Sequence, residues 1–253
     1  MKIDVMNLVH NYSTYKVLKD VSFSVDSGEV VSLLGPNGCG KSTTIKIISS
    51  LFKPVSGNIS IDGKSLDEID PVDRAKLIGY VPQYFTYSSY TTVLETVLIG
   101  RTPYMSWSVS EEDLAAVDYA LRCMNIRDLA ERQINELSGG QRQRVFIARA
   151  IAQKPVFYLF DEPTSSLDLR HQIDTLTTMR DIIHKDNSGM IVALHDLNLA
   201  LRYTDKVLIL SNGEVYDFGK PEDVLTPKAI YDVYGVHAEI IENERGRFVL
   251  AYE

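Results

Sequence analysis

The sequence is poor in cysteine, in cationic charge and in long apolar runs, and each shortage excludes a class of protein. Its two cysteines among 253 residues, Cys39 and Cys123, make neither a disulfide framework nor a zinc site, and they suit a reducing cytosol. No apolar run approaches the roughly 18 residues of a membrane-spanning helix. The opening Met1-Lys2-Ile3-Asp4-Val5 reads as an immediate strand rather than a secretory leader. Lys and Arg number 26 against 34 Asp and Glu, a formal net charge of −8. That balance argues against sequence-independent binding of nucleic acid and against adhesion to anionic lipid. A role at a membrane would then need another protein to hold the chain there. There is no internal repeat and no low-complexity linker. With 45% hydrophobic and 24% charged residues the remainder is ordinary globular composition, and the length suits one large domain or a two-lobed one.

Against this plain background, Gly35-Pro36-Asn37-Gly38-Cys39-Gly40-Lys41-Ser42 satisfies G-x-x-x-x-G-K-S/T without a mismatch. Val30-Val31-Ser32-Leu33-Leu34 before it is an apolar run suited to a buried parallel strand. After it, Ile45, Ile48 and Leu51 recur at helical spacing, so a helix is expected to begin at Lys41. Glycines let the backbone wrap a phosphate chain with N–H groups pointing inward, and the helix N-terminus adds partial positive charge. Lys41 would reach the β- and γ-phosphates, and the Ser42 hydroxyl would bind Mg²⁺. The stretch therefore predicts binding of a nucleoside triphosphate. A thiol in such a loop should have a lowered pKa, which is the expectation for Cys39.

Along the rest of the chain, residues 1–29 alternate polar and apolar as short antiparallel strands do, with Tyr12 and Tyr15 in the loop between the first two. An aromatic there can stack on a nucleobase or simply pack a turn. Gly57–Gly63 and Ile78–Val81 read as strands, the second ending at Pro82-Gln83. From about Tyr84 to Leu137 the texture becomes helical, an insertion within an α/β core. Ser110 followed by Glu111-Glu112-Asp113 marks a helix start, with Leu114, Val117 and Leu121 as its apolar face. The insertion's entrance is aromatic (Tyr84, Phe85, Tyr87, Tyr90, then Tyr104 and Trp107), which fits either core or a docking patch. Leu137-Ser138-Gly139-Gly140-Gln141 runs into a helix, a second potential anion site. Val156–Glu162 is an apolar strand delivering Asp161 and Glu162 at its end, where a doubly wound sheet places metal ligands and catalytic groups. A helix, the strand Met190–Leu194, then His195-Asp196 follow. Asn212-Gly213 signals a type I′ hairpin turn, and residues 221–253 read as a helix plus one or two strands.

Taken together and in this order, the motifs resemble those of the nucleotide-binding subunit of an ABC transporter over essentially the whole chain. Gly35–Ser42 is similar to its Walker A motif, Gln83 to the Q-loop glutamine, and Leu137–Gln141 to the LSGGQ signature. Asp161 and Glu162 match the end of Walker B, Ser165-Ser166-Leu167-Asp168 the D-loop (with Ser166 where alanine is frequent), and His195 the switch histidine. Tyr12 is the better match to the base-stacking aromatic, with Tyr15 in reserve.

The resemblance implies an α/β P-loop NTPase fold with a RecA-like parallel-sheet core, an N-terminal antiparallel β-subdomain and an inserted α-helical subdomain. It implies one ABC ATPase domain over 1–253: 1–83 and 156–220 as the ATP-binding core, 84–155 as the helical subdomain with the signature, and 221–253 as a C-terminal extension. ATP and Mg²⁺ are the implied cofactors. Tyr12, the loop Gly35–Ser42 and Thr43 would hold the nucleotide, and Ser42, Gln83 and Asp161 the metal. Glu162 would be the general base, with His195 and Gln83 at the γ-phosphate. Leu137, Ser138, Gly139, Gly140 and Gln141 would complete the ATP site of a second copy, with Asp168 in the D-loop between them.

Outside the shared motifs, Val97–Tyr104, Leu167–Gln172, His195–Ala200 and Pro221–Thr226 with Tyr234-Gly235-Val236 are similar to ATPases of the metal-chelate import branch. That branch takes up iron–siderophores, haem and cobalamin. The implied partners are a second copy of the chain, two membrane-spanning permease subunits and, indirectly, an extracytoplasmic substrate-binding protein, but no nucleic acid. The implied location is the cytoplasmic face of the cell membrane, held there through the permease. The alternative is a soluble ABC ATPase of iron–sulfur cluster assembly, from which partner-dependent membrane association would distinguish it.

Overall fold

The computed structural model describes residues 1–85, 90–244 and 246–252. Two long strands open it, β1 (Lys2–Tyr12) and β2 (Tyr15–Asp26), paired antiparallel, and their alternation sends Ile3, Val5, Val21, Phe23 and Val25 into the core. Tyr12 and Tyr15 are not loop residues: they are the last and first strand residues and face each other across Ser13-Thr14. The five residues of β3 (Val30–Leu34) are all buried, as in a strand covered on both faces. The phosphate-type loop leads from it into α1 (Lys41–Ile48). That helix begins at the expected lysine but ends before Leu51, which is exposed because Ser50 turns to φ 60° and breaks the helical path. Then come β4 (Ser56–Ile61), β5 (Lys64–Ser65), α2 (Pro71–Leu77) and β6 (Ile78–Val81).

A helical layer follows: α3 (Val93–Leu98), a 3₁₀ turn at Ile99–Arg101, α4 (Glu111–Cys123) and α5 (Gly139–Gln153). Thr92, Ser110 and Ser138 cap the three helices, each in a reciprocal box with Glu95, Asp113 and Gln141, so orphan N–H groups are satisfied locally. The buried face of α4 is rotated from the expected one. Ala116, Val117, Ala120 and Leu121 are buried while Leu114 is 49% exposed. The cause is Asp113, whose carboxylate is drawn inward by the cap and by Arg101. The aromatic entrance divides in two. Phe85 stacks on Phe146 at 3.8 Å, a contact worth about 0.5–1.5 kcal/mol beyond area burial, whereas Tyr84, Tyr90 and Trp107 are exposed. Tyr87 lies outside the described residues.

The second half alternates strand and helix: β7 (Phe157–Asp161), α6 (Leu169–Asp186), β8 (Gly189–Ala193), α7 (Leu197–Tyr203) and β9 (Lys206–Ser211). Asn212 (φ 50°) and Gly213 (φ 81°) make the expected turn into β10 (Glu214–Gly219). The last segment holds two short helices, α8 (Pro221–Val224) and α9 (Pro227–Tyr234), and a hairpin of β11 (His237–Asn243) and β12 (Gly246–Tyr252), one helix more than expected.

Ten strands form one sheet in the order β5-β4-β1-β2-β10-β9-β3-β8-β7-β6, so the fold is α/β as expected. From β9 to β6 neighbours run parallel, and β1, β2, β4 and β5 pair antiparallel. The two sets meet where β10 pairs with β2 at Glu214↔Asp20. Alternate residues of β3 enter different apolar clusters, Val30 and Leu34 on one face and Val31 and Leu33 on the other. Because β3, β8, β7 and β6 are adjacent and parallel, the residues following all four emerge along one edge.

Candidate nucleotide-binding and hydrolysis site

The loop after β3 is shaped by glycine where nothing larger fits. Gly35 has φ 140°, and a Cβ on it would stand 2.1 Å from the Leu210 carbonyl oxygen. Lys41 is buried, and its ammonium donates to the carbonyls of Gly35 at 2.7 Å and Pro36 at 3.1 Å, which pins the loop to the first turn of α1. An open cavity of about 340 Å³ lies over this loop, lined by Asn37, Gly38, Gly40, Lys41, Ser42 and Thr43, by Tyr12, Tyr15 and Val17 of the first hairpin, and by Glu162. Gly35, Pro36 and Cys39 of the motif do not line it. Cys39 turns into the core instead, and burial pushes its thiol up, the reverse of the lowered pKa expected from its loop position.

On the base side, Tyr12 is the better-held of the two tyrosines. Its hydroxyl lies 3.4 Å from Thr43 Oγ1, and its ring stands edge-on to His10 at 5.1 Å and to Phe52 at 6.0 Å. Tyr15 is 66% exposed. Val17 is a lining residue that sequence reasoning did not single out; an ordinary strand valine carries no signal of such a position.

Beside the cavity five predicted residues converge. Ser42 Oγ donates to Asp161 Oδ1 at 2.7 Å. Asp161 is 2% exposed, and burial holds its carboxyl above the usual carboxylate range despite that hydrogen bond. Glu162, one residue on, is in the left-handed region at φ 53°, a strained conformation for a glutamate. The turn it makes aims its carboxylate between two neighbours: Gln83 Nε2 donates to one oxygen at 2.6 Å, and His195 Nε2 lies 2.5 Å from the other. His195 is half exposed while Glu162 is largely buried. The Gln83 amide therefore sits on Glu162 and not on the Ser42–Asp161 pair.

The donor set fits Mg²⁺. It consists of hard oxygens, one of them a buried carboxylate, and among the described residues no cluster of three or more His, Cys, Asp and Glu offers an all-protein cage. Such a set suits a cation that completes its shell with phosphate and water.

The signature residues lie elsewhere. Ser138 accepts from Gln141 N–H at 3.2 Å and Gln141 Oε1 accepts from Ser138 N–H at 2.9 Å, so both are engaged in capping α5. Leu137 is buried, a Cβ on Gly139 would meet nothing, and one on Gly140 would touch Leu167 before the D-loop aspartate. Asp168 caps α6 and accepts from His171 N–H at 2.9 Å. None of these residues lines the cavity over the loop.

The ABC transporter family model matches residues 18–165. An ABC transporter ATP-binding protein of Methanocaldococcus jannaschii is 44% identical over 246 residues, 97% of this chain and 96% of that protein. The hemin import ATP-binding protein of Bordetella avium is 37% identical, covering 97% and 96% of the two chains, and a petrobactin import ATP-binding protein of Bacillus anthracis 34%, covering 97% and 91%. Among solved structures, a metal-chelate type ABC transporter in an inward-facing conformation superposes with a TM-score of 0.85 at 28% identity, over 99% of this chain and 97% of that one. A dimeric bacterial ABC transporter cassette gives 0.80 at 32% identity, over 87% and 98%. The chain therefore belongs to the ABC transporter family, as one of its ATP-binding, ATP-hydrolysing subunits.

Proposed function

We propose that this chain is the energy-coupling subunit of an importer for an iron chelate, with a siderophore as the first candidate cargo and haem or cobalamin as the alternatives. The reading of the site rests on one observation: Gln83, Asp161, Glu162 and His195 emerge from three adjacent parallel strands beside the phosphate loop. The reading of the cargo is supported by the hemin and petrobactin relatives and by the Val97–Tyr104 and Pro221–Thr226 strings.

Tyr12 stacks on the base, the loop N–H groups of residues 37–43 wrap the phosphates, and the Lys41 ammonium leaves its loop carbonyls for the β- and γ-oxygens. Ser42, Asp161 and Gln83 would hold Mg²⁺, which when bound would neutralise phosphate charge. Glu162 takes a proton from water as the water oxygen bonds to the γ-phosphorus, and the bond to the bridging oxygen breaks with its electron pair leaving on ADP. Both Glu162 oxygens are occupied here, so the base is capped. Swinging Gln83 and His195 onto the γ-phosphate uncaps it and places the imidazole beside the attacking water. Ser138 and Gly140 of a second copy close over the same phosphate, which ties closure of a two-fold dimer to ATP and reopening to hydrolysis. The dimeric cassette among the neighbours supports that assembly. No helix among the described residues is long and apolar enough to cross a membrane; two permease subunits hold the chain at the cytoplasmic face.

Tagged chain pulled from gently solubilised native membranes tests this, with partners identified by mass spectrometry. A many-spanning hydrophobic subunit is the expected companion, and the ligand of its binding protein names the chelate. Recovery of soluble cluster-assembly proteins alone would overturn the import reading and leave the ATPase chemistry standing.

A further inference from the structure

Arg101 is a buried arginine in the helical layer that the hydrolysis chemistry does not use. Its side chain and that of Asp113 are each 4% exposed, and Nε donates to Asp113 Oδ1 at 2.9 Å. Nη1 donates to the Ala152 carbonyl at 3.0 Å, in the last turn of α5, where a helix leaves carbonyls without partners. The guanidinium also lies 4.2 Å from the centre of the Tyr104 ring. Asp113 meanwhile caps α4 through Ser110. One ion pair therefore joins the 3₁₀ turn, α4 and the end of α5. Gly100 tightens the junction, since a Cβ there would stand 2.2 Å from the Arg149 carbonyl oxygen. At the same end of α5, Gln153 Nε2 donates to the Ile78 carbonyl at 2.9 Å, at the start of the strand that leads to Gln83.

What this junction holds is an exposed stretch, with Ile99, Val109 and the fully exposed Trp107 along it. At the other end of the fifteen-residue α5, about 22 Å away by helical rise, lies the signature capped by Ser138. We propose that Arg101 is a positioning residue that fastens the segment from Ile99 to Val109 to the signature helix, so that both move as one rigid body. Lysine could face Asp113 but could not also reach Ala152 and lie flat on Tyr104, because it lacks the planar fork. That a partner docked on the segment would thereby be sensed at the signature rests on the importer reading; the clamp itself does not.

Hydrogen exchange of the full chain, followed by mass spectrometry, reads the clamp directly. In Arg101→Lys, exchange across residues 99–109 should rise by about tenfold through local opening, while residues 139–149, ATP affinity and Tm stay as in the parent. Asp113→Asn should give the same rise confined to the segment, with a lower Tm because Arg101 is left buried without its carboxylate. Tyr104→Leu, which leaves the buried pair in place, should raise exchange in the segment by less, and it decides the matter if the other two do not fold. Unchanged segment exchange overturns the proposal, as does a rise spread evenly over α3, α4 and α5. In the membrane complex, Arg101→Lys should keep the ATPase rate of the free subunit and lose about tenfold of its stimulation by the membrane subunits; full stimulation overturns the clamp. Recovery of no membrane subunit with the unaltered chain counts against the importer reading alone, because the exchange data decide the clamp without it.

Discussion

Glu162 makes two contacts through its two carboxylate oxygens, and a base must surrender one of them to reach water. Glu162→Gln cannot accept the proton yet keeps nearly the same shape, so turnover should fall by about 10²- to 10⁴-fold while ATP binding survives. Steady-state rates beside equilibrium binding check this, and near-normal turnover would remove Glu162 from the role. Cys39 makes the opposite lesson concrete. Buried and with its thiol pushed up, it should react with iodoacetamide at pH 7.5 more slowly than the half-buried Cys123; peptide mapping showing Cys39 labelled first would mean the loop opens readily. That Gln83, Asp161, Glu162 and His195 come together was legible because phosphate chemistry demands particular side chains at a particular spacing. The direction in which Cys39 points was not, since loop position and side-chain burial are separate facts.

At the scale of elements, strands and helices announced themselves by period and by caps such as Ser110 and Ser138, whose partners lie three residues on. What stayed hidden were tertiary decisions. The rotation of α4 that exposes Leu114 follows from Arg101, which lies outside that helix and pairs with Asp113 across the packed layer. Ser50 ending α1 ahead of Leu51 is a local turn that the apolar period does not register. The pairing at Asp113 carries a pH signature. Hydrogen bonds from Ser110 and then Arg101 hold its carboxyl down at about 2. The ordinary value is about 3.9, so the stabilisation is complete above that pH and disappears as pH falls through 2. The Tm gap between the parent and Asp113→Asn should therefore be constant above about pH 4 and close between pH 4 and 2. A gap that persists to pH 2 would show that Asp113 acts through shape rather than charge.

At the scale of the whole molecule, the loop residues and the signature residues lie apart. The cavity over the phosphate loop contains no signature residue of its own chain, while Gly139 faces open space at the start of α5. Sequence motifs named both groups, and the fold keeps Leu137–Gln141 away from the cavity over the loop. Glu162→Gln supplied with ATP and Mg²⁺ should accordingly elute from size exclusion as a dimer, and with ADP as a monomer. A monomer under both conditions would contradict the two-fold sandwich.

The base side of that cavity has a consequence for fuel. That side is lined by Tyr12, Tyr15 and Val17, and an aromatic ring stacks on any purine through the same face. A wall that makes no hydrogen bond to a base cannot strongly reject one that differs only at its edge. GTP should therefore be hydrolysed with a kcat/KM within about tenfold of that for ATP. The choice of adenosine would then be made by its abundance in the cell and not by the protein.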